Sequence, residues 1–126
     1  MKKILIVIAD YYEDISSTLL KSAKSNLNNF PIKVIRVPGV FEIPVTISKN
    51  IKKYDAFIAL GCVIKGETPH FDFISSASTQ AIMNLSVEFK KPIGNGIITC
   101  LSMKQAKARG KKGKEAAKAV ISVLSQ

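Results

Sequence analysis

Apolar residues in this chain fall into short unbroken runs that alternate with segments of helical spacing. Lys3–Ala9 is rich in β-branched residues and predicts a first strand buried on both faces. The polar stretch Asp10–Asp14 follows, with Asp14 placed to cap a helix reaching about Asn28 and burying Leu19, Leu20, Ala23 and Leu27. Pro31 ends that connection, and Ile32–Val37 predicts the second strand. Pro38-Gly39 then turns the chain into Val40–Pro44, an apolar segment interrupted by Glu42, and Val45–Lys53 predicts a helix with Ile47 and Ile51 inward. Ala56–Ile64 is the third strand with its loop. Asp72–Lys90 predicts a long third helix, with Ile74, Ala77, Ala81 and Leu85 at helical spacing and Ile82 and Phe89 widening the stripe. Thr68 is the expected N-cap of this helix and Pro69 its first residue, where a missing N–H costs nothing. Pro92–Gly96 leads into a fourth strand, Ile97–Thr99, and helices over Met103–Arg109 and Lys114–Ser125 flank an interruption at Gly110–Gly113.

Strands alternating with helices imply right-handed crossovers and a parallel sheet covered on both faces. The expected fold is therefore α/β: a flavodoxin-like three-layer α/β/α sandwich around a parallel four-stranded sheet. The 126 residues, 47% hydrophobic, suit a single domain spanning 1–126. No apolar run approaches bilayer length, and Ile4–Ala9 leads into Asp10 and Glu13 without a signal-peptide cleavage site. Cys62 and Cys100 end two apolar runs and read as reduced, buried thiols. Together these features point to a cytoplasmic protein without a membrane partner.

The charge changes the picture more. Nineteen Lys and Arg against nine Asp and Glu give a formal net charge of +10, which raises the question of nucleic acid. Much of that charge lies in Lys104–Lys118, where no aromatic residue interleaves to stack bases. A solvated helix face with attraction for a phosphorylated small molecule is the better reading, and no nucleic-acid partner is expected.

Three loops after strands carry unusual chemistry: Asp10–Asp14, Pro38–Pro44 and Lys65–His70. In a parallel sheet they open on one edge, so Tyr11, Glu42 and His70 should converge where α/β folds bind ligands. Each alone has an ordinary explanation: a surface tyrosine, a carboxylate at a helix start, a helix-terminal hydrogen-bonder. Convergence of all three is not ordinary. A helix beginning near Thr68 would also offer free N–H groups to an anion. One histidine without a Cys/His/Asp cluster argues against a metal, and no serine sits on a nucleophile elbow. The flavodoxin phosphate loop and the glycine fingerprint of dinucleotide folds are both missing. An aromatic face, a carboxylate, an imidazole base and basic anion-binders remain. That set suits condensation of a polar heterocycle with a phosphorylated partner.

The motif Pro38-Gly39-Val40-Phe41-Glu42-Ile43-Pro44, followed by Gly61-Cys62-Val63-Ile64-Lys65-Gly66-Glu67-Thr68-Pro69-His70-Phe71-Asp72, strongly resembles the 6,7-dimethyl-8-ribityllumazine synthase family of riboflavin biosynthesis. Asn95–Thr99, Gln105-Ala106 with Arg109, and Lys112-Gly113 with Glu115-Ala116-Ala117 extend the resemblance over nearly the whole chain. It implies a transferase that condenses 5-amino-6-(D-ribitylamino)uracil with 3,4-dihydroxy-2-butanone 4-phosphate and needs no cofactor. His70 takes the proton-transfer position. Tyr11 stands where the family usually has phenylalanine to stack the pyrimidine. Val40, Phe41 and Glu42 would hold the ribityl chain and ring, while Cys62, Val63 and Ile64 line the uracil. Glu67 and Thr68 would offer backbone N–H groups to phosphate, with Arg109 as its clamp and Lys112 nearby. Asn95 stands where many relatives have phenylalanine, and the Arg109–Lys112 segment is shorter than usual.

The resemblance further implies a homopentamer, assembled in some members as an icosahedral shell of twelve pentamers. Neighbours in the ring share each site: one supplies Tyr11, Glu42 and His70, the next Asn95 and Arg109. The competing expectations are a catalytically silent shell of the same fold and a flavin- or lumazine-binding protein. Retention of Glu42, His70 and Arg109 speaks against the silent shell.

Overall fold

The computed structural model describes residues 1–66 and 70–126. The expected capping role of Thr68 and Pro69 lies outside these residues. Four parallel strands, β1 (Ile4–Ala9), β2 (Ile32–Val37), β3 (Ala56–Ile64) and β4 (Ile93–Cys100), form one sheet in the order β2-β1-β3-β4. Helices α1 (Glu13–Lys24) and α5 (Lys112–Leu124) connect to strands across one face, and the other carries α2 (Ile43–Asn50) and α3 (His70–Phe89). The short α4 (Met103–Ala108) follows β4. The result is the three-layer α/β/α sandwich of flavodoxin-like folds.

Side chains of β1 alternate between the two cores, which is why the strand is apolar at every position. Ile4, Ile6 and Ile8 join the layer with Leu19 and Val120, whereas Leu5, Val7 and Ala9 join the layer with Ile43, Ile47 and Ile82. Among the described residues no helix is long and apolar enough to cross a membrane.

Several boundaries differ from expectation for identifiable reasons. The first helix ends at Lys24 rather than near Asn28, and Tyr12 rather than Asp14 occupies its N-cap, without a side-chain cap. Its start is instead pinned by the buried Ser16 hydroxyl, which donates to the Ala9 carbonyl at the end of β1. Leu27 is still buried, in the turn beyond the helix. A 3-10 turn at Val40–Glu42 runs directly into α2, so this helix begins at Ile43, with Pro44 tolerated in its first turn, and ends at Asn50 rather than Lys53.

On α3, Ser78 is buried and Ala77 exposed, the reverse of the hydrophobic stripe. The Ser78 hydroxyl donates to the Ile74 carbonyl 2.6 Å away, hiding its polarity within the helix. The fourth strand starts at Ile93, four residues before the expected Ile97, because Gly94 and Gly96 are strand residues and not breakers. An added Cβ at Gly94 would strike the Ala116 carbonyl of α5, and one at Gly96 would meet Leu60 Cδ2 at 2.5 Å. The glycines thus mark a close approach of helix to sheet. Gly113 likewise lies inside α5, which therefore starts at Lys112 and ends at Leu124 rather than spanning Lys114–Ser125.

Candidate active site

All four strands point their carboxyl ends the same way, and the loops leaving them build two hollows on that edge. The first, of about 560 Å3, is lined by Tyr11 and Tyr12 after β1, Gly39–Glu42 after β2, Cys62–Ile64 of β3, and His70 and Ile74 of α3. The sheet order explains the gathering, because β2, β1 and β3 are consecutive neighbours.

Each wall of this hollow has a local cause. Gly61 lets Val40 pack onto β3: an added Cβ there would lie 2.8 Å from Val40 Cγ2 and 3.2 Å from Ala9 Cβ. That contact holds the 3-10 turn against the sheet and carries Phe41 and Glu42 with it. The Glu42 N–H donates to the Gly39 carbonyl over 3.2 Å, and its carboxylate lies close above Gly39. Tyr11 and Tyr12 pack edge to face, with ring centres 4.9 Å apart and planes at 78°. Burial pushes the Tyr12 phenol above its ordinary pKa, and neighbouring Tyr11 and Cys62 push it the same way. The Cys62 thiol is pushed up to about 12, first by burial and then by Cys100 beside it, so it remains protonated at neutral pH. His70 opens α3 at the rim.

The second hollow, of about 630 Å3, lies along the opposite edge strand. It is lined by Asn95, Ile97, Ile98 and Thr99 of β4, Ala108 and Arg109 after α4, and Lys111, Lys112 and Glu115 at the start of α5. The Arg109 guanidinium donates to the Thr99 carbonyl at 3.1 Å, which aims the side chain along the end of the strand. Asn95 Oδ1 accepts from the Ile97 N–H at 3.0 Å. Arg109, Lys111 and Lys112 against Glu115 leave this hollow with a net positive charge, which attracts anions.

Of the residues singled out in the sequence, Tyr11, Val40, Phe41, Glu42, Cys62, Val63, Ile64 and His70 thus come together in the first hollow. Asn95, Arg109 and Lys112 come together in the second. Within one chain the two groups do not share a cavity. Glu67 and Thr68 lie outside the described residues. Sequence reasoning missed Tyr12, Ile74, Thr99, Lys111 and Glu115. Tyr12 could have been found from its place beside Tyr11 in the same loop. Thr99 and Glu115 fall within the segments that resemble the family, whereas Ile74 and Lys111 carry no signal beyond helical phase and charge. Among the described residues, no three or more His, Cys, Asp and Glu side chains cluster closely enough to hold a metal ion.

Fold and geometry together describe an α/β protein whose parallel sheet carries one aromatic and one cationic hollow beside its carboxyl ends. The sequence model of the family described as 6,7-dimethyl-8-ribityllumazine synthase matches residues 1–126. The 6,7-dimethyl-8-ribityllumazine synthase 1 of Rhodopseudomonas palustris is 44% identical, over 97% of this chain and 83% of that protein. The proteins of the same name from Nitrobacter hamburgensis and Methylorubrum extorquens are each 42% identical; they cover 95% and 98% of this chain and 82% and 79% of their own. The chain belongs to the 6,7-dimethyl-8-ribityllumazine synthase family, transferases of riboflavin biosynthesis.

Proposed function

We propose that the chain condenses 5-amino-6-(D-ribitylamino)uracil with 3,4-dihydroxy-2-butanone 4-phosphate, and that it does so in a site shared between neighbouring subunits of a homopentamer. The observation that carries this reading is the division of the carboxyl edge into an aromatic hollow with Glu42 and His70 and a cationic hollow with Arg109. One suits a pyrimidine and the other a phosphate. Tyr11 and Phe41 are 75% and 63% exposed beside the first hollow, as expected of walls that a second subunit covers. A ring of identical subunits brings the front of one chain against the back of the next, which joins the two hollows. Two free, buried cysteines favour the cytoplasm as its location.

In this site Tyr11 stacks the pyrimidine ring. The turn Val40–Glu42 and the β3 residues Cys62–Ile64 hold its edge and the ribityl chain. Arg109 clamps the phosphate through a charge-assisted fork, with Lys112 beside it. The pyrimidine amine attacks the ketone and water leaves, giving an imine. Elimination then expels inorganic phosphate, and ring closure expels a second water. Each step moves a proton, and His70 at the rim relays it. Holding both reactants in contact supplies much of the acceleration.

Mixing both substrates with the purified protein should produce lumazine fluorescence and inorganic phosphate in equal amounts. His70→Ala should lower kcat by roughly 10- to 10⁴-fold while its circular dichroism stays native. The lower bound reflects the proximity effect that survives the substitution. Wild-type turnover by this variant would remove His70 from the chemistry. Absence of turnover in the unmodified protein would sink the whole reading.

A further inference from the structure

The two cysteines are 38 residues apart in sequence, but the β3–β4 register brings them together. Cys62 is paired with Ile98 and Ile64 with Cys100, so the two cysteines share one face of the sheet, a diagonal step apart on adjacent strands. Both belong to the same apolar cluster, and Cys100 lies near enough to Cys62 to help hold its thiol protonated. The geometry decides what such a pair can hold. A diagonal step separates Cα atoms by about 7–8 Å, beyond the roughly 4.4–6.8 Å that a disulfide spans. A metal bridge is longer. Two metal–sulfur bonds of about 2.3 Å in line set the sulfurs about 4.6 Å apart, a span that two side chains reaching towards each other across the diagonal step can bridge.

We propose that Cys62 and Cys100 form a two-coordinate site for a soft monovalent cation, copper(I) or silver(I). Thiolates select such ions. No third His, Cys, Asp or Glu stands close enough among the described residues to complete the tetrahedron that zinc(II) demands. Binding replaces two S–H bonds with two sulfur–metal bonds and releases two protons to solvent. The bis-thiolate complex then carries a net charge of −1. The Arg109 guanidinium, 3.8 Å from Cys100 Sγ, is placed to neutralise it. The Tyr12 phenol also stands beside Cys62. Cys62 is 6% exposed and lines the first hollow, so the ion enters from that side, whereas Cys100 is wholly buried.

The test is an anaerobic titration of the full-length protein with copper(I) against bicinchoninate, a coloured competing chelator. One copper(I) per chain should be retained, two protons released for each ion, and X-ray absorption should show two sulfur neighbours. Cys62→Ala and Cys100→Ala, each checked for native circular dichroism, should each weaken retention at least about 100-fold. Either variant alone suffices should the other fail to fold. Zinc(II) at the same concentration should not be retained. No copper(I) held by the unmodified protein, undiminished retention in a folded cysteine variant, or nitrogen and oxygen neighbours at the metal would each overturn the site. The condensation is read separately, by lumazine fluorescence of the metal-free protein, so a failure to retain copper(I) leaves that reading untouched.

Discussion

Impaired His70→Ala and Arg109→Ala chains, unfolded together and reassembled, should at low phosphate substrate recover more activity than either has alone. Each proposed site takes His70 from one subunit and Arg109 from its neighbour. In an equal random mixture half the chains present an intact His70 and half an intact Arg109. About a quarter of the interfaces therefore pair one with the other, and activity should approach that fraction of the unmodified level. An equal share carries both defects and contributes nothing. Arg109→Ala alone should weaken the butanone phosphate by about 1.5–3 kcal/mol, the range for a lost charge-assisted contact, and leave the pyrimidine nearly unaffected. Saturating phosphate substrate would mask that defect, so the mixing experiment belongs at low concentrations of it. If native mass spectrometry finds mixed pentamers and activity stays absent, both residues serve one subunit and the shared site is wrong.

Gly113→Val should be the most damaging single substitution for stability. A helix-interior glycine ordinarily gains about 1 kcal/mol on replacement by alanine. Here the added Cβ would fall against the Leu19 carbonyl oxygen and 3.2 Å from the Ala23 N–H nitrogen. Both are backbone atoms of α1 and cannot rotate aside. α1 and α5 must therefore separate, which opens the apolar layer containing Leu19, Ala117 and Val120. Overpacking typically costs about 1–3 kcal/mol, and valine against rigid backbone belongs at or above the upper end. The melting temperature should fall by roughly 10 °C. Gly66→Ala is the control, because its Cβ would meet nothing within 4 Å. Equal melting temperatures for the two variants would show that the helix contact yields easily.

Glycine is also where the sequence was hardest to read. Gly94, Gly96 and Gly113 look like punctuation along the chain, so the local pattern starts the fourth strand and the last helix too late. Their meaning is tertiary: each marks a close approach between two elements, which no local window contains. β1 and β3 were legible because continuous apolar runs have one stable destination in an α/β fold, and β2 because its β-branched residues follow Pro31 and are interspersed with Lys33 and Arg36 as on an edge strand. The first hollow was legible for the same reason, since three loops after parallel strands must share an edge. The second hollow followed only from a family resemblance for Asn95, Arg109 and Lys112. Lys111 and Glu115 look like any solvated charges on a helix.

The strand order carries a consequence for synthesis of the chain. β1 lies inside the sheet, between β2 and β3, yet it is the first strand to leave the ribosome. Its six residues contain no charge, and both faces stay apolar until the layers close over them. At about 5–20 residues per second, the roughly fifty-five residues from Ala9 to Ile64 take about 3–11 s to make. For that interval the nascent protein carries an uncovered, aggregation-prone edge, and pairing with β2 relieves only one side of it. Ribosome-associated chaperones should therefore be retained until β3 has emerged, and slowing translation between Val37 and Ala56 should lower the soluble yield without altering the finished fold.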